Sequence, residues 1–149
     1  MLKTKTFDYQ PADYENEKAS QSYLMSVIAI MVGLPLPIIN LIATLLFYLN
    51  NKKSSYYIRW HCTQALLSQL TVLIINSGTF YWTLSIIFGD NEISNSYIAY
   101  LITVVIFNIS EFIMTVYTAI QSKKSKHIEW FFWGDITNLI CKPHNKISL

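Results

Sequence analysis

The stretch Tyr97–Gln121, YIAYLITVVIFNISEFIMTVYTAIQ, decides the fold of this chain. Its 25 residues include one charged residue, Glu111, near the middle. A run of about eighteen or more mostly apolar residues predicts a helix that spans a lipid bilayer. A carboxylate inside such a helix is costly to expose to lipid. We therefore expect Glu111 to face other helices of a membrane protein.

The overall composition also favours a membrane protein. Hydrophobic residues make up 52% of the 149 residues and charged residues only 13%. Soluble domains average about 25% charged residues, so this chain has little polar material for a water-exposed surface. The net charge of +2 and the lack of a basic patch interleaved with aromatic residues argue against a nucleic-acid partner. Cys62 and Cys141 are far apart and have neither a metal nor a redox spacing, so we expect free thiols.

Two more apolar stretches, Tyr23–Asn50 and Trp60–Phe88, precede this one, and neither contains Asp, Glu, Lys or Arg. The first is too short for two full crossings, which need about twenty residues each. Its centre, Gly33-Leu34-Pro35-Leu36-Pro37, interrupts backbone hydrogen bonding, so we predict one Pro-kinked span.

The sequence thus predicts an all-α integral membrane protein with three transmembrane helices and a short interfacial helix. A polar N-terminal flank covers residues 1–22. A transmembrane domain covers 23–121, with spans at 23–50, 60–88 and 97–121. A basic, aromatic tail covers 122–149.

The tail contains an apolar segment that is too short and too polar to cross a membrane. Trp130 and Trp133 suit the headgroup region of a bilayer. Asp135 can cap a short helix on which Ile136, Leu139 and Ile140 share an apolar face. We therefore predict an interfacial anchor on the cytoplasmic leaflet.

The charges of the connecting segments predict an orientation. The loop 51–59 and the tail 122–149 are basic, whereas the loop 89–96 carries Asp90 and Glu92. Lys and Arg concentrate on the cytoplasmic side of membrane proteins. We expect a multi-pass protein of the bacterial inner (cytoplasmic) membrane with its N-terminus outside and its C-terminus in the cytoplasm.

Polar residues recur at helical spacing on one face of each predicted span. Asn40, Gln69 and Glu111 each lie nine or ten residues from the cytoplasmic end of their span, so they should share a level. The predicted buried polar layer comprises Asn40, Gln69, Asn76, Asn108 and Glu111. Its structural role would be interhelical hydrogen bonding, on the order of 0.6–2 kcal/mol per contact. A proton or substrate relay, or a docking site for a partner helix, is the functional alternative.

A second group of candidates lies at the predicted membrane edge: Arg59, Trp60, His61 and Gln64. Arg59 is expected to reach lipid phosphate. His61 and Gln64 lie one turn apart and could bind a loop carbonyl or a partner. His61 and Cys62 are adjacent and point in different directions on a helix, so no metal site is expected.

The block Tyr57-Ile-Arg-Trp-His-Cys-Thr-Gln-Ala-Leu-Leu-Ser-Gln69 resembles the pattern that opens a membrane helix in the Tic20-like superfamily, which includes small bacterial membrane proteins. Phe107-Asn-Ile-Ser-Glu111-Phe and the segment Lys124–Phe132 resemble the last helix and trailing segment of the bacterial members. The resemblance implies a small helical membrane protein with a link to protein transport.

No paired carboxylates, nucleophile–base set or Gly-rich phosphate loop is apparent, and no cofactor or metal is expected. We predict a non-enzymatic integral membrane subunit or accessory factor of a larger membrane complex, linked to protein translocation. Its partners would be the lipid bilayer and other integral membrane proteins, and a homo-oligomer is also compatible. The alternative is a small oligomeric transporter or channel that uses Glu111.

Overall fold

The computed structural model describes residues 2–7, 9–31, 37–89 and 92–141. The elements in chain order are β1 (Leu2–Lys5), α1 (Asp13–Met31), α2 (Pro37–Asn51), α3 (Tyr56–Ile87), α4 (Asn95–Lys123), β2 (His127–Trp130) and α5 (Trp133–Ile140). The described chain is mostly helical, as predicted. It also contains a two-stranded antiparallel sheet of β1 and β2, which an all-α fold does not include.

Helices α3 and α4 are long and apolar enough to cross a membrane. Their 32 and 29 residues correspond to roughly 48 Å and 44 Å at about 1.5 Å per residue. Only 6% of the most apolar window of α3 and 11% of that of α4 are buried, so neither is the core helix of a soluble protein. The predicted spans 60–88 and 97–121 correspond to these two helices. Ser94 caps α4, because its side chain accepts a hydrogen bond from the backbone N–H of Tyr97.

The predicted first span is instead divided between two antiparallel helices. Lys18 Nζ lies 3.1 Å from Asn51 Oδ1, although 33 positions separate the two residues. A single helix, even a kinked one, would hold them roughly 50 Å apart at about 1.5 Å per residue. The prediction of one Pro-kinked span over 23–50 is therefore wrong, because α1 and α2 are two short helices that lie side by side and run in opposite directions. Residues 32–36, which include most of the predicted kink, lie outside the described residues.

The α1–α2 hairpin packs against only part of the α3–α4 pair. Ser26 and Asn40 of the hairpin line the same cavity as Val72 of α3. Beyond this cavity, towards the α3–α4 loop, α1 and α2 each extend for only about one more turn. Helix α3 continues in that direction for about four turns. The bundle therefore has four helices near the chain termini and two helices towards the α3–α4 loop.

Both ends of the described chain lie on the same side of this bundle. Leu2 pairs with Trp130 and Lys5 with His127 across the two-stranded sheet. The side chain of Asn16, at the start of α1, donates to Ser125 Oγ just after α4 at 2.7 Å. The prediction that the N-terminus is outside and the C-terminus cytoplasmic is wrong, because paired strands cannot lie on opposite sides of a bilayer. The predicted orientation depended on an odd number of membrane crossings.

The tail folds against the bundle instead of only lying beside it. Trp130 is 3% exposed and packs in a core with Tyr23, Ala65, Ala119 and Ile128. Its indole Nε1 donates to Thr118 Oγ1 at 2.8 Å, so its prediction as a headgroup anchor is wrong.

The predicted short helix of the tail is present as α5. Trp133 begins it and packs partly against the same core. Asp135 lies in the first turn, and its predicted capping role is wrong because Phe132 occupies the cap position. Leu139 and Ile140 are exposed at 73% and 55%, which leaves an apolar surface on this short helix.

We predict that cysteines at Lys18 and Asn51 will be joined within one chain by a short bifunctional thiol reagent. The background should carry Cys62→Ala and Cys141→Ser. The pair Lys18→Cys with Asn95→Cys is the control, because Asn95 lies at the far end of the bundle. Efficient crosslinking of the control pair, or none of the first pair, in gel mobility and peptide mass spectrometry would contradict the hairpin.

Candidate functional site

A buried hydrogen-bonded network joins α1, α3 and β2 at the end of the bundle that holds the termini. It comprises Tyr23, His61, Gln64, His127 and Glu129, each 5% exposed or less. Gln64 Nε2 donates to Tyr23 Oη at 2.9 Å, and Tyr23 Oη lies 2.9 Å from His61 Nδ1. His61 Nε2 lies 3.2 Å from His127 Nδ1, and His127 Nε2 lies 3.3 Å from Glu129 Oε1. We call this set the terminal network.

The Tyr23 hydroxyl oxygen accepts from Gln64 Nε2, because an amide nitrogen can only donate. The next three contacts join Tyr23, His61, His127 and Glu129 in series, and the tautomers of the two imidazoles set which atom donates in each.

The Glu129 carboxylate ends this series and is buried beneath the exposed Lys5. It forms an ion pair with Lys5 of β1, and Asn138 Nδ2 lies 3.4 Å from Glu129 Oε1. Burial raises the pKa of Glu129, but the hydrogen bonds from Lys5 and Asn138 and the positive charge of Lys5 outweigh it and hold the pKa below its ordinary value. A pocket of about 190 Å³ opens beside Lys5, His127 and Glu129.

The side chain of Gln64 holds β2 on the bundle. Its Nε2 donates to the Ile128 carbonyl at 3.1 Å, and its Oε1 accepts from the Trp130 N–H at 3.0 Å. Gly134 of α5 approaches closely, because a Cβ there would lie 2.9 Å from Glu129 Cβ and 3.5 Å from Gln64 Oε1. The packing of α5 therefore depends on the absence of a side chain at position 134.

A second polar cluster lies deeper along α3 and α4, around Glu111. Glu111 Oε1 accepts hydrogen bonds from Ser68 Oγ at 3.1 Å, Gln69 Nε2 at 2.9 Å and Thr115 Oγ1 at 2.9 Å. Asn108 lies about one helical turn from Glu111 on α4, on the side of the α3–α4 loop. Its side-chain amide and that of Asn76 on α3 each donate to the other's oxygen, at 3.2 Å and 3.0 Å. The two long helices are thus joined through polar side chains.

A cavity of about 70 Å³ adjoins Glu111 and Gln69. Asn40 of the hairpin lines it, is 7% exposed, and has no hydrogen-bond partner for its buried Oδ1. A polar cavity of this size has room for water, which could satisfy such an oxygen. The five residues of the predicted polar layer therefore lie around one continuous region, although Asn40 is not bonded directly to the others.

The predicted membrane-edge residues are mostly interior. Trp60, His61 and Gln64 are fully buried. The indole Nε1 of Trp60 donates to Asn138 Oδ1 of α5 at 2.7 Å. Only Arg59 is half-buried, beside the exposed end of α5. Tyr23, His127 and Glu129 are not among the predicted site residues, although the alternation of polar and apolar residues over 127–130 is typical of a strand.

No group of three His, Cys, Asp or Glu residues within the described ranges is arranged to hold a metal ion. Cys62 and Cys141 are both buried free thiols. In both clusters the buried polar side chains bond mainly to one another, which fixes the positions of the helices.

Residues 19–135 match a family model described as the magnetosome magnetite crystal formation protein family, MamF/MmsF. The chain belongs to this family. The match extends from α1 into α5 and so includes α2, α3, α4 and β2 completely. No curated protein and no solved structure matches the chain.

Membership in the MamF/MmsF family overturns the Tic20-like resemblance. The proposed link to protein translocation rested on that resemblance and falls with it. The block that suggested it, around Arg59, Trp60 and His61, is short, and two of these side chains are buried against the tail. Apolar helices with a few polar residues resemble one another across unrelated families, which explains the error.

We predict that Glu111→Leu will lower the free energy of unfolding in mixed micelles by about 1–2 kcal/mol, because it removes the acceptor of Gln69 and Thr115, whereas Ser68 can still donate to the Ala65 carbonyl. Glu111→Gln retains an acceptor oxygen and should cost less. Ser110→Leu is the matched control, because Ser110 is exposed and bonds only its own helix at Ile106. Equal stability of Glu111→Leu and Ser110→Leu would contradict a structural role for these contacts.

Proposed function

We propose that this chain is a non-enzymatic integral protein of the magnetosome membrane that takes part in magnetite crystal formation. The family match over residues 19–135 carries the proposal. Two long helices with exposed apolar surfaces support the membrane location. The buried clusters support a structural role, because their polar groups are bonded mainly to one another.

The distribution of charge supports one orientation. The 11 Lys and Arg residues all fall in segments 1–22, 51–59 and 122–149, which connect to the end of the bundle that holds the termini. The loop between α3 and α4 carries Asp90 and Glu92 instead. Under the positive-inside rule the basic end faces the cytoplasm. In a membrane derived from the inner membrane, the acidic loop would then face the interior of the magnetosome.

In this orientation the α1–α2 hairpin enters the bilayer from the cytoplasmic side without crossing it. The apolar part of α2 is shorter than the about twenty residues that a full crossing needs. The Glu111 cluster would lie where the hairpin ends. Polar groups at that depth require partners from the protein, and the hairpin supplies Ser26 and Asn40 near them.

The exposed apolar surface of α3 and α4 beyond the hairpin supports the proposal that these helices contact lipid or other membrane proteins of the magnetosome. Its exposed residues are large and apolar, including Ile74, Phe80, Tyr81, Ile102 and Ile106. An accessory subunit of a larger membrane complex would use such a surface.

The alternative, a small oligomeric transporter or channel using Glu111, has one supporting observation, the cavity beside that residue. The three hydrogen bonds to Glu111 Oε1 favour the structural role. A flux through reconstituted protein that disappears in Glu111→Gln, with the fold intact, would favour the alternative.

We predict that a tagged copy of this protein, produced in a magnetite-forming bacterium, will be recovered with magnetically purified magnetosomes. Deletion of the corresponding gene should change the size or shape distribution of the crystals in electron micrographs. The intact chain should restore it. Recovery only in other membranes, together with unchanged crystals, would contradict the proposal.

Labelling of single cysteines with a membrane-impermeant maleimide will test the orientation. In the background without Cys62 and Cys141, Lys3→Cys and Lys53→Cys should react on intact isolated magnetosomes, because the basic end faces the cytoplasm. Asn95→Cys should react only after the membrane is opened, because its loop faces the interior of the magnetosome. Reaction of Lys3→Cys and Asn95→Cys from the same side would contradict an even number of crossings.

A further inference from the structure

A basic pocket lies where α2 ends and α3 begins, on the side of the bundle covered by α5. Its volume is about 370 Å³, within the range of roughly 300–1,000 Å³ typical of small-ligand sites. The pocket is lined by Tyr48, Lys52, Arg59, Thr63 and the end of α5. It is separate from both the terminal network and the Glu111 cluster.

Two cations of this pocket have no acidic partner in the described part of the chain. The ion pairs found there involve Glu129 with Lys5 and with His127, and neither Arg59 nor Lys52 takes part. Arg59 Nε is completely buried and has no hydrogen-bond partner. A buried donor without an acceptor is destabilising, and the Arg59 side chain lines this pocket.

The start of α3 adds to the attraction for an anion. Arg59 lies in the first turn of this helix, which begins at Tyr56. The positive end of the helix dipole favours negative charge close to the first turn. The planar guanidinium of Arg59 can donate two parallel hydrogen bonds to a phosphate, and the ammonium of Lys52 adds a mobile charge.

The surroundings of the pocket are those of a bilayer edge. Leu45 and Leu49 are exposed on α2 shortly before Lys52, and Leu139 and Ile140 are exposed on α5. Apolar surface thus adjoins the two cations. A ligand that fits both parts has an acyl chain and a negatively charged head.

We propose that this pocket binds the phosphate group of an anionic phospholipid, with Arg59 and Lys52 as the anion-binding residues. The acyl chains lie along the exposed leucines of α2 and the apolar residues of α5. The proposal depends on the membrane placement of α3 and α4, and it does not depend on a role in crystal formation.

Native mass spectrometry of the purified chain in mild detergent tests this site. Phosphatidylglycerol should remain bound where phosphatidylcholine does not. Lys52→Gln and Arg59→Gln should each raise the phosphatidylglycerol concentration needed for half occupancy by about tenfold, as expected for the loss of a charge-assisted hydrogen bond. Arg59→Lys should lie between the natural chain and Arg59→Gln, because it keeps the charge without the planar fork.

The control is Lys124→Gln, which removes an exposed cation at the same end of the bundle but outside the pocket. It should leave phosphatidylglycerol binding unchanged. An equal loss in Lys124→Gln, or no loss in either pocket variant, would overturn the site. Thermal protection by inorganic phosphate equal to that by phosphatidylglycerol would overturn the lipid as its ligand. Because Lys52 is exposed, Lys52→Gln decides the result if Arg59→Gln does not fold.

Discussion

The hydrogen bonds of one buried amide hold the different parts of this protein together. Gln64 of α3 binds the Tyr23 hydroxyl of α1 and two backbone groups of β2, and β2 in turn pairs with β1. Both hydrogens of its amide nitrogen and its amide oxygen are bonded, and the side chain is fully buried. Because an unsatisfied polar group there would be costly, Gln64 fixes the position of α1 as well as that of β2. The location of both ends of the described chain, residues 2 and 141, follows from it.

The contacts between α3 and α4 could be predicted from the sequence because they follow helical periodicity. Gln69, Asn76, Asn108 and Glu111 are polar residues in apolar runs, and polar residues in such a setting turn towards each other. The two runs are also long enough to identify without help from the rest of the chain. Here, local pattern and tertiary packing agree.

The hairpin and the sheet could not be predicted in the same way. An apolar stretch of 28 residues fits one crossing by length, and length alone does not distinguish it from two short helices that turn back. The strand β1 has only four residues, LKTK, and pairs with a segment more than 120 positions away. Such a strand has too little pattern of its own, and its conformation depends on the surface that β2 offers. His127 and Glu129, which lie on β2, were missed for this reason.

The division of the bundle into a four-helix part and a two-helix part has a consequence for the membrane around it. In a bilayer, this shape displaces more lipid from one leaflet than from the other. The protein is therefore a wedge, and a wedge fits best where the leaflet around its wide end is stretched over a convex surface. In the proposed orientation the wide end lies on the cytoplasmic leaflet, which forms the outer, convex surface of a small vesicle. In that orientation the shape of the chain would suit a closed, strongly curved compartment better than a flat membrane.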